Sequence, residues 1–278
     1  MYREEAKLPE GKKNAVMVSV NLDAEYWGIF MYPDTEPEGS GFEEMAKFGM
    51  EEGLQRLLET FAKYQVKATF FVPGIVAKKY RDAIALIKSY GHEFGVHGYR
   101  HENFGLLSEE EQEEAMKKSV EAVEAISGQK PIGFRAPEGE LTVKTFEIAK
   151  KYGIYYSSTL GNDDRPYEFT LGGGDSILEI PFHWAMADTP YFDFHFWPQV
   201  PYGQDRISCF RKVLHNWKQE YDVFREEGLY YVLSLNPMTI ADPGKIYILE
   251  ELLEYIKKDS DVWFATGGEI YDFFKHNQ

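Results

Sequence analysis

Short apolar, β-branched runs alternate along this chain with longer segments in which apolar residues recur at helical spacing. The apolar runs predict strands at Ala15–Val20, Ala68–Val72, Phe94–Val96, Gly133–Arg135, Ile154–Ser157, Ile177–Ile180, Tyr230–Leu235 and Val262–Ala265. The periodic segments predict helices at Met50–Tyr64, Val76–Tyr90, Ser108–Ile126, Val143–Tyr152, Ile207–Glu227 and Lys245–Lys257. Repeated alternation of strand and helix predicts an α/β fold in which parallel strands are joined by helical crossovers.

Local signals refine this organisation. Ser108 and Glu111 form a capping box at one helix start, and Thr142 is placed to cap the next helix. The stretch Gly172–Gly174 lacks the Lys-Ser/Thr pair and helix start of a phosphate-binding loop, so it predicts a turn. Because no linker or repeat interrupts residues 1–278, we expect a single domain. About eight parallel strands predict a closed or nearly closed β/α barrel, with an open doubly wound sheet as the alternative.

Composition narrows the classes of partner. The chain has 278 residues, 44% of them hydrophobic, and a net charge of −16, which disfavours nucleic acid and anionic membrane surfaces as partners. A neutral or cationic small substrate is easier to accommodate. The single cysteine, Cys209, excludes an internal disulfide and a thiolate cluster, so a bound metal would have nitrogen and oxygen ligands. Residues 1–14 carry no apolar signal region, and no segment has the apolar length of a membrane span, which predicts a cytoplasmic location.

Polar residues follow several of the predicted strands. In a β/α barrel the carboxyl ends of the strands face one mouth, so we expect these side chains to converge there. They are Asp23 and Glu25 after the first strand, His97 and His101 after the third, Arg135 and Glu138 after the fourth, His183 and Trp184 after the sixth, and Asn236 after the seventh.

Three of these residues predict a metal centre. Asp23, His97 and His101 would form a site of two histidines and one carboxylate with open coordination positions, which suits a divalent ion, with zinc expected. Such an ion activates water and polarises a carbonyl, the chemistry of amide or ester hydrolysis. Glu25 or Glu138 is placed to transfer the proton, and Arg135 to orient it. The alternative is that His97 and His101 are ordinary loop histidines, because bare histidine pairs at this spacing are common.

Four motifs stand out along the chain: His97-Gly-Tyr99-Arg-His101, Phe134-Arg135-Ala136-Pro137-Glu138-Gly139, Pro181-Phe-His183-Trp184 and the closing segment 261–270. In this order they resemble the motifs of the polysaccharide deacetylases, the NodB-homology group of carbohydrate esterase family four, and the resemblance covers nearly the whole chain, roughly from Val16 to Phe274. The resemblance implies a distorted (β/α) barrel of seven to eight parallel strands that hydrolyses N-acetyl groups on a metal centre. It also implies that Tyr99, Pro137, His183 and Trp184 contact a small-molecule or oligosaccharide amide substrate.

Two positions depart from the family pattern. The family's first motif carries a catalytic acid where this chain has Asn21, and its His-Pro pair, whose histidine protonates the leaving group, reads Asn236-Pro237 here. Allantoinase-like members of the cytoplasmic branch also carry an asparagine at the first position. Three hypotheses therefore stay open: a metal-dependent amide hydrolase, an allantoinase-like hydrolase of cyclic amides, and a catalytically silent binding protein.

A final feature is the ring-dense segment Phe182–Tyr202, which favours either a pocket wall or an oligomer interface. Because a large apolar patch is a liability on a soluble monomer, we expect a homo-oligomer. The cytoplasmic branch that the chain resembles favours a tetramer. His92 and His276 have no partner pattern, which predicts solvated side chains.

Overall fold

A computed structural model describes residues 6–28, 41–193 and 208–277. The strands are β1 Asn14–Asn21, β2 Ala68–Val72, β3 Glu93–Val96, β4 Gly133–Phe134, β5 Tyr156–Ser157, β6 Tyr167–Thr170, β7 Ser176–Glu179, β8 Tyr230–Leu235 and β9 Val262–Phe264. The α-helices are α1 Gly41–Phe48, α2 Leu54–Lys63, α3 Gly74–Lys79, α4 Arg81–Ser89, α5 Glu109–Ser127, α6 Val143–Lys151, α7 Thr189–Phe192, α8 Phe210–Glu226, α9 Pro237–Ile240, α10 Pro243–Ile256 and α11 Gly267–His276.

One sheet contains all of these strands, in the order β6-β7-β5-β4-β3-β2-β1-β8, and β9 pairs with the first residues of β1. Every pairing is parallel except that of β6 with β7. A parallel bridge between Ala187 and Ser234 links the segment after β7 to β8, so the two ends of the parallel sheet meet. The sheet is therefore curled into a distorted β/α barrel, which confirms the predicted fold class.

The predicted strands agree closely with the observed ones. β2 and β8 have the predicted bounds, and the other six predicted strands agree within one or two residues. The sequence pattern missed β6, whose side chains alternate between half-buried and exposed and so lack a continuous apolar run. The glycine stretch 172–174 joins β6 to β7, with Gly173 at a φ of 75°, so the predicted turn is confirmed.

Two predicted helices differ from the structure. The segment Met50–Tyr64 divides into a π-helical turn, Gly49–Gly53, and α2. A Cβ on Gly49 would lie 2.3 Å from Cγ of Met238, so glycine permits this turn to pack against α9. The segment 76–90 divides into α3 and α4 at Tyr80, whose φ of −110° and ψ of 54° are not helical.

The helices pack outside the strands, and the interior of the barrel contains a polar layer. All of β1 except its last residue is buried, and so are β2 and β8. Within the barrel, the carboxylate of Glu93 accepts hydrogen bonds from Thr69 Oγ1 at 2.6 Å and from Tyr156 Oη at 3.0 Å. A Cβ on Gly133 would lie 2.1 Å from the ring of Tyr156, so the absence of a side chain there makes room for this ring.

The prediction for His92 was wrong. This side chain is buried among Phe61, Phe70 and Tyr90, and its Nδ1 accepts a hydrogen bond from Ala68 N at 3.1 Å. Burial lowers the pKa of His92 to about 4, so the ring is neutral at pH 7. His276 is exposed, as expected.

In the described parts of the chain, no helix combines the length and apolar character that crossing a membrane requires.

Candidate active site

The site begins where β1 ends. The backbone leaves the barrel at Leu22, whose N–H donates to the carbonyl of Phe71 at 3.0 Å, and enters a short 3-10 helix, Ala24–Gly28. Asp23 lies at this junction and is buried, with 2% of its surface exposed. The end of β1 therefore fixes the carboxylate of Asp23 at the barrel mouth.

The two histidines lie on the loop after β3, which is not helical. Gly98 and His101 both have left-handed backbones, with φ of 70° and 63°. The carboxylate of Glu102 holds this loop by accepting hydrogen bonds from Tyr99 N and Arg100 N, both at 2.8 Å. The rings of His97 and His101 consequently meet edge to face, with centroids 4.9 Å apart. A left-handed residue such as His101 costs conformational energy, and such strain clusters at functional sites.

Asp23, His97 and His101 form a compact buried cluster whose ligand atoms all lie within 4.8 Å of one another. Asp23 Oδ1 is 3.5 Å from His97 Nε2 and 3.9 Å from His101 Nε2. Among the described residues, neither Asp23 Oδ1 nor His97 Nε2 has a hydrogen-bond partner. Orphaned buried polar atoms are costly, so these atoms are suited to binding an added ligand such as a metal ion.

The tautomer of His97 also suits a metal. His97 Nδ1 lies 2.6 Å from the carbonyl oxygen of Arg135, and because a carbonyl only accepts, this nitrogen carries the proton. His97 Nε2 is then left with its lone pair facing Asp23. Histidine ligands commonly donate their second nitrogen to a backbone carbonyl in this way. The cluster therefore fits a divalent cation in both donor type and orientation.

Burial dominates the electrostatics of the cluster. Desolvation raises the pKa of Asp23 to about 7, against the lowering effects of the Arg135 charge and the Asn236 hydrogen bond. Burial lowers the pKa of His101 to about 4 and that of His97 well below its usual value. Both imidazoles are therefore neutral at pH 7, the state in which histidine binds metals.

Asn236 holds the second oxygen of Asp23. Its Nδ2 donates to Asp23 Oδ2 at 3.0 Å, while its own Oδ1 accepts from Met238 N at the start of α9. The backbone N–H of Asn236 donates to Asp188 Oδ2 at 2.8 Å. Since both ends of the amide are bound, Asn236 fixes the carboxylate of Asp23 so that Oδ1 faces the histidines.

Arg135 is buried in the centre of the barrel, with its guanidinium between the rings of Phe71 and Phe182 at 4.5 and 4.4 Å from their centroids. Burial lowers its pKa to about 9, which leaves it charged at pH 7. Its hydrogen-bond acceptors, at 2.7 to 3.0 Å, are Ser19 Oγ, Asn21 Oδ1, Ser158 O, Ser158 Oγ and Ser234 Oγ.

Glu138 lies on the turn Pro137–Gly139 after β4, and its φ of 59° is strained for a residue with a side chain. Its Oε2 accepts from Asn103 Nδ2 at 3.4 Å, whereas its Oε1 is buried without a partner among the described residues. Burial raises the pKa of Glu138 to about 7. A carboxyl group with this pKa can both donate and accept a proton near neutral pH.

These groups surround a cavity of about 390 Å³. Of the residues predicted for the site, Trp184 lines the cavity with 54% of its surface exposed, and Asn236 lies behind Asp23. The lining consists of Asn21, Asp23, Trp27, His97, His101, Asn103, Arg135, Ala136, Glu138, Gly139, Glu140, Phe182, Trp184, Ala187, Thr189, Pro190 and Ser234.

Besides Asn236, four of the predicted residues do not form part of this lining. Glu25 is buried elsewhere, paired with Lys79 and accepting a hydrogen bond from Tyr80 Oη at 2.8 Å. Tyr99 packs against Gly74, where a Cβ would lie 2.7 Å from its ring.

His183 and Pro137 are the other two. His183 Nε2 pairs with Asp164 Oδ1 at 2.7 Å. Pro137 packs near Gly98, where a Cβ would lie 3.3 Å from its ring. Neither residue is part of the cavity lining.

Sequence reasoning missed Ser234 and Asn103 as parts of the site. Ser234 lies inside an apolar strand, and a serine within such a run signals a polar contact in the barrel interior. Asn103 follows His101 by two residues and caps a 3-10 turn. Its side chain accepts a hydrogen bond from the N–H of Gly105 in that turn. Of the ring-dense segment, the structure describes only Phe182–Asp193, so Phe194, Phe196, Trp197 and Tyr202 lie outside the described residues.

Comparison with known proteins identifies the fold and family. The profile of the polysaccharide deacetylase family matches residues 42–157. The peptidoglycan deacetylase of Helicobacter pylori is 30% identical to this chain over 256 residues, which cover 83% of this chain and 86% of that protein. The chain belongs to the polysaccharide deacetylase family. Members of this family hydrolyse non-peptide C–N bonds, so the chain is a hydrolase of this class.

Solved structures agree with this assignment to the polysaccharide deacetylases. The structure of a putative polysaccharide deacetylase from Mycobacterium smegmatis is 30% identical, with a TM-score of 0.90, and the match covers 99% of this chain and 95% of that one. The structure of Puue allantoinase, 20% identical with a TM-score of 0.83 over 98% of this chain and 93% of that one, shares the fold.

Proposed function

We propose that this polysaccharide deacetylase is a metal-dependent hydrolase of amide bonds in N-acetylated sugars or oligosaccharides. The observation that carries the proposal is the buried cluster of Asp23, His97 and His101, whose unpartnered ligand atoms face the cavity. Two imidazoles and one carboxylate leave coordination positions open, an arrangement that suits zinc. The relative in Helicobacter pylori, a peptidoglycan deacetylase, supports a substrate of this kind.

The roles of the residues follow from their contacts. A divalent ion held by the cluster would supply Lewis-acid activation of the amide carbonyl and of water. Arg135 fixes His97 through its carbonyl, and Asn236 fixes Asp23. Glu138 transfers the proton, since its pKa of about 7 matches the requirement for an acid or base at neutral pH.

Substrate contacts come from the cavity wall. Trp184 presents an exposed ring at the mouth, and apolar ring faces suit the C–H surfaces of sugars. We further propose that residues 1–278 form a single catalytic domain of a cytoplasmic protein that assembles as a homo-oligomer, with a tetramer favoured.

A second candidate is an allantoinase-like hydrolase of cyclic amides, which the contact between Asn21 and Arg135 favours, because a deacetylase would have an acid at that position. In that case the same residues work without a tightly held metal. The third hypothesis, a catalytically silent binding protein, disagrees with membership of a family of hydrolases. Asn21 and Asn236 favour it, and the complete cluster of Asp23, His97 and His101 argues against it.

Metal analysis followed by a hydrolysis screen separates these candidates. Protein purified without chelator and resupplied with zinc should hold about one ion per chain, and His97→Ala or His101→Ala should lose it. His276→Ala, on the exposed surface, is the control. Wild-type protein without any bound ion would refute the metal-dependent mechanism, and hydrolysis of cyclic amides alone would favour the second candidate. Metal binding without hydrolysis of any amide would favour a silent protein.

A further inference from the structure

The guanidinium of Arg135 is buried without a direct ion pair to any carboxylate of the described residues. Its hydrogen-bond acceptors are hydroxyls, a backbone carbonyl and the amide of Asn21. Only 1% of the Arg135 surface is exposed, so water does little to solvate the charge. Buried charges are ordinarily paired, because removing a charged group from water is costly.

The two acids whose charges act on Arg135 form their hydrogen bonds with other groups. Asp23 Oδ2 accepts a hydrogen bond from Asn236, and Asp23 Oδ1 faces the imidazoles. Glu179 Oε1 accepts hydrogen bonds from the backbone N–H groups of Thr159 and Leu160, at 2.6 and 2.8 Å. Each of them influences Arg135 through space, but neither contacts its nitrogens.

Two further donors lie beside Arg135. Its Nη1 donates to Asn21 Oδ1 and to Ser234 Oγ, both at 3.0 Å, which occupies these oxygens as acceptors. Within the described residues, neither the Nδ2 of Asn21 nor the hydroxyl hydrogen of Ser234 has an acceptor, and both residues line the cavity. One wall of the cavity therefore presents a positive charge together with an amide donor and a hydroxyl donor.

We propose that Arg135, Asn21 and Ser234 bind a negatively charged group of the substrate, so that the enzyme selects amides that carry a carboxylate near the scissile C–N bond. This proposal deepens the proposed function and rests on it for the identity of the reaction. Asn21 is the deciding residue. An acid at position 21 would neutralise Arg135 from within the protein, whereas the amide leaves that charge available to a ligand.

The remaining charges orient such a ligand. Glu138 and Glu140, on the loop after β4, supply negative charge to another part of the lining. Among the side chains of the lining, Arg135 is therefore the one whose charge attracts a carboxylate. The net charge of −16 favours a neutral or cationic substrate for the chain as a whole, but a ligand in a cavity responds most strongly to the charges nearest to it.

Calorimetric titration with acetate and with acetamide, its neutral counterpart, tests this wall directly. Three proteins are compared at one zinc concentration: wild type, Asn21→Asp and Asn103→Asp. Asn103→Asp is the matched control, because it adds the same charge to the same cavity but beside Glu138. Wild type should bind acetate more tightly than acetamide. Asn21→Asp should weaken acetate binding about tenfold or more, and Asn103→Asp should weaken it much less.

Three results would overturn the proposal: equal binding of acetate and acetamide by wild type, unchanged acetate affinity in Asn21→Asp, or an equal loss in both variants. The zinc content of all three proteins is measured, and at equal zinc content the difference between the variants reports on the charge beside Arg135. The titration does not measure hydrolysis. A protein that binds acetate at this wall but hydrolyses no amide would refute only the proposed function. An active hydrolase that shows one of the three results above would refute only the carboxylate site at Arg135, Asn21 and Ser234.

Discussion

The imidazole of His97 donates from Nδ1 to the backbone carbonyl of Arg135 across 2.6 Å, and so connects the loop after β3 to the strand end that carries the guanidinium. Arg135 thus contributes to both halves of the site. The carbonyl of Arg135 sets the tautomer of His97, while its side chain lies in the polar barrel interior. The two motifs, 38 positions apart in the sequence, form a single unit for this reason.

We expect Asn236→Ala to weaken zinc binding. Asn236 donates to Asp23 Oδ2, and residues that orient a ligand in this way typically contribute about 10- to 100-fold to metal affinity. Competition titration with a chromophoric chelator would measure the change. Asn277→Ala, near the carboxyl terminus and exposed, is the control. Unchanged zinc affinity in Asn236→Ala would mean that Asp23 is oriented without Asn236.

We expect Glu138→Gln to lower kcat by about 100-fold or more, because an amide cannot transfer the proton. Glu138 has a buried Oε1 without a partner among the described residues, and burial raises its pKa to about 7. The wild-type profile of kcat/KM against pH should therefore show an ionisation near neutral pH that the variant lacks. Glu140→Gln, which removes the same charge from an exposed residue of the lining, should have a much smaller effect. A variant that retains the rate and the profile would exclude Glu138.

Acid should destabilise the protein through His92. Burial lowers the pKa of His92 in the folded protein to about 4, below the ordinary histidine pKa of 6.5, so the unfolded chain binds the proton more readily. The stability that the neutral ring contributes is fully present above pH 6.5 and is lost as the pH falls toward 4, by up to about 3 kcal/mol.

His92→Asn provides the comparison for this prediction, because its amide oxygen can still accept from Ala68 N but does not titrate. Urea unfolding of both proteins from pH 7 to pH 4 should show a smaller loss of unfolding free energy in the variant. Parallel losses would show that other groups cause the acid sensitivity.

How far the sequence predicts this molecule can be judged from a few residues. Continuous apolar runs locate β2 and β8 with the observed bounds, because these strands are buried along their whole length. Asp23, His97 and Arg135 were found because parallel strands place the residues after them at one barrel mouth. By contrast, β6 carries half-exposed side chains and has no such run.

The exact contacts could not be predicted, because they depend on backbone turns that spacing does not reveal. Glu25 follows Asp23 by two residues, yet the 3-10 helix after β1 turns it toward Lys79 and away from the cavity. Asn103 donates to Glu138 although the two residues lie on different loops, 35 positions apart in the sequence. In each case the local path of the loop decides which side chain faces the cavity.

Assembly gives a further prediction. Of the ring-dense segment, Phe192 is buried within the chain, whereas Trp184 has 54% of its surface exposed. We expect a homo-oligomer, with a tetramer favoured, because exposed apolar rings are commonly covered by a partner. Light scattering at micromolar concentration would test this, and a mass of about 32 kDa, that of one chain, would contradict it.

The last prediction concerns the two asparagines that stand where the family has proton-transfer groups. We expect Asn21→Asp and Asn236→His to raise hydrolysis of a simple N-acetylated sugar, since each positioned proton-transfer group typically contributes about 100-fold or more. An aspartate at position 21 would accept from Arg135 and could act as a base, and it would also neutralise the wall that we propose for anions.

Rates for wild type, each single variant and the double variant would be measured on one uncharged N-acetyl sugar at saturating zinc, with zinc content checked because Asn236 contacts Asp23. Wild type should be slow on this substrate, and the double variant should be faster than either single variant. If wild type already hydrolyses the sugar briskly and both substitutions slow it, then the two asparagines do not stand for lost proton-transfer groups. Glu138 would then carry the proton transfer alone. Both Glu138 and Asp23 line the cavity with a pKa near neutrality, but Asp23 is assigned to the metal.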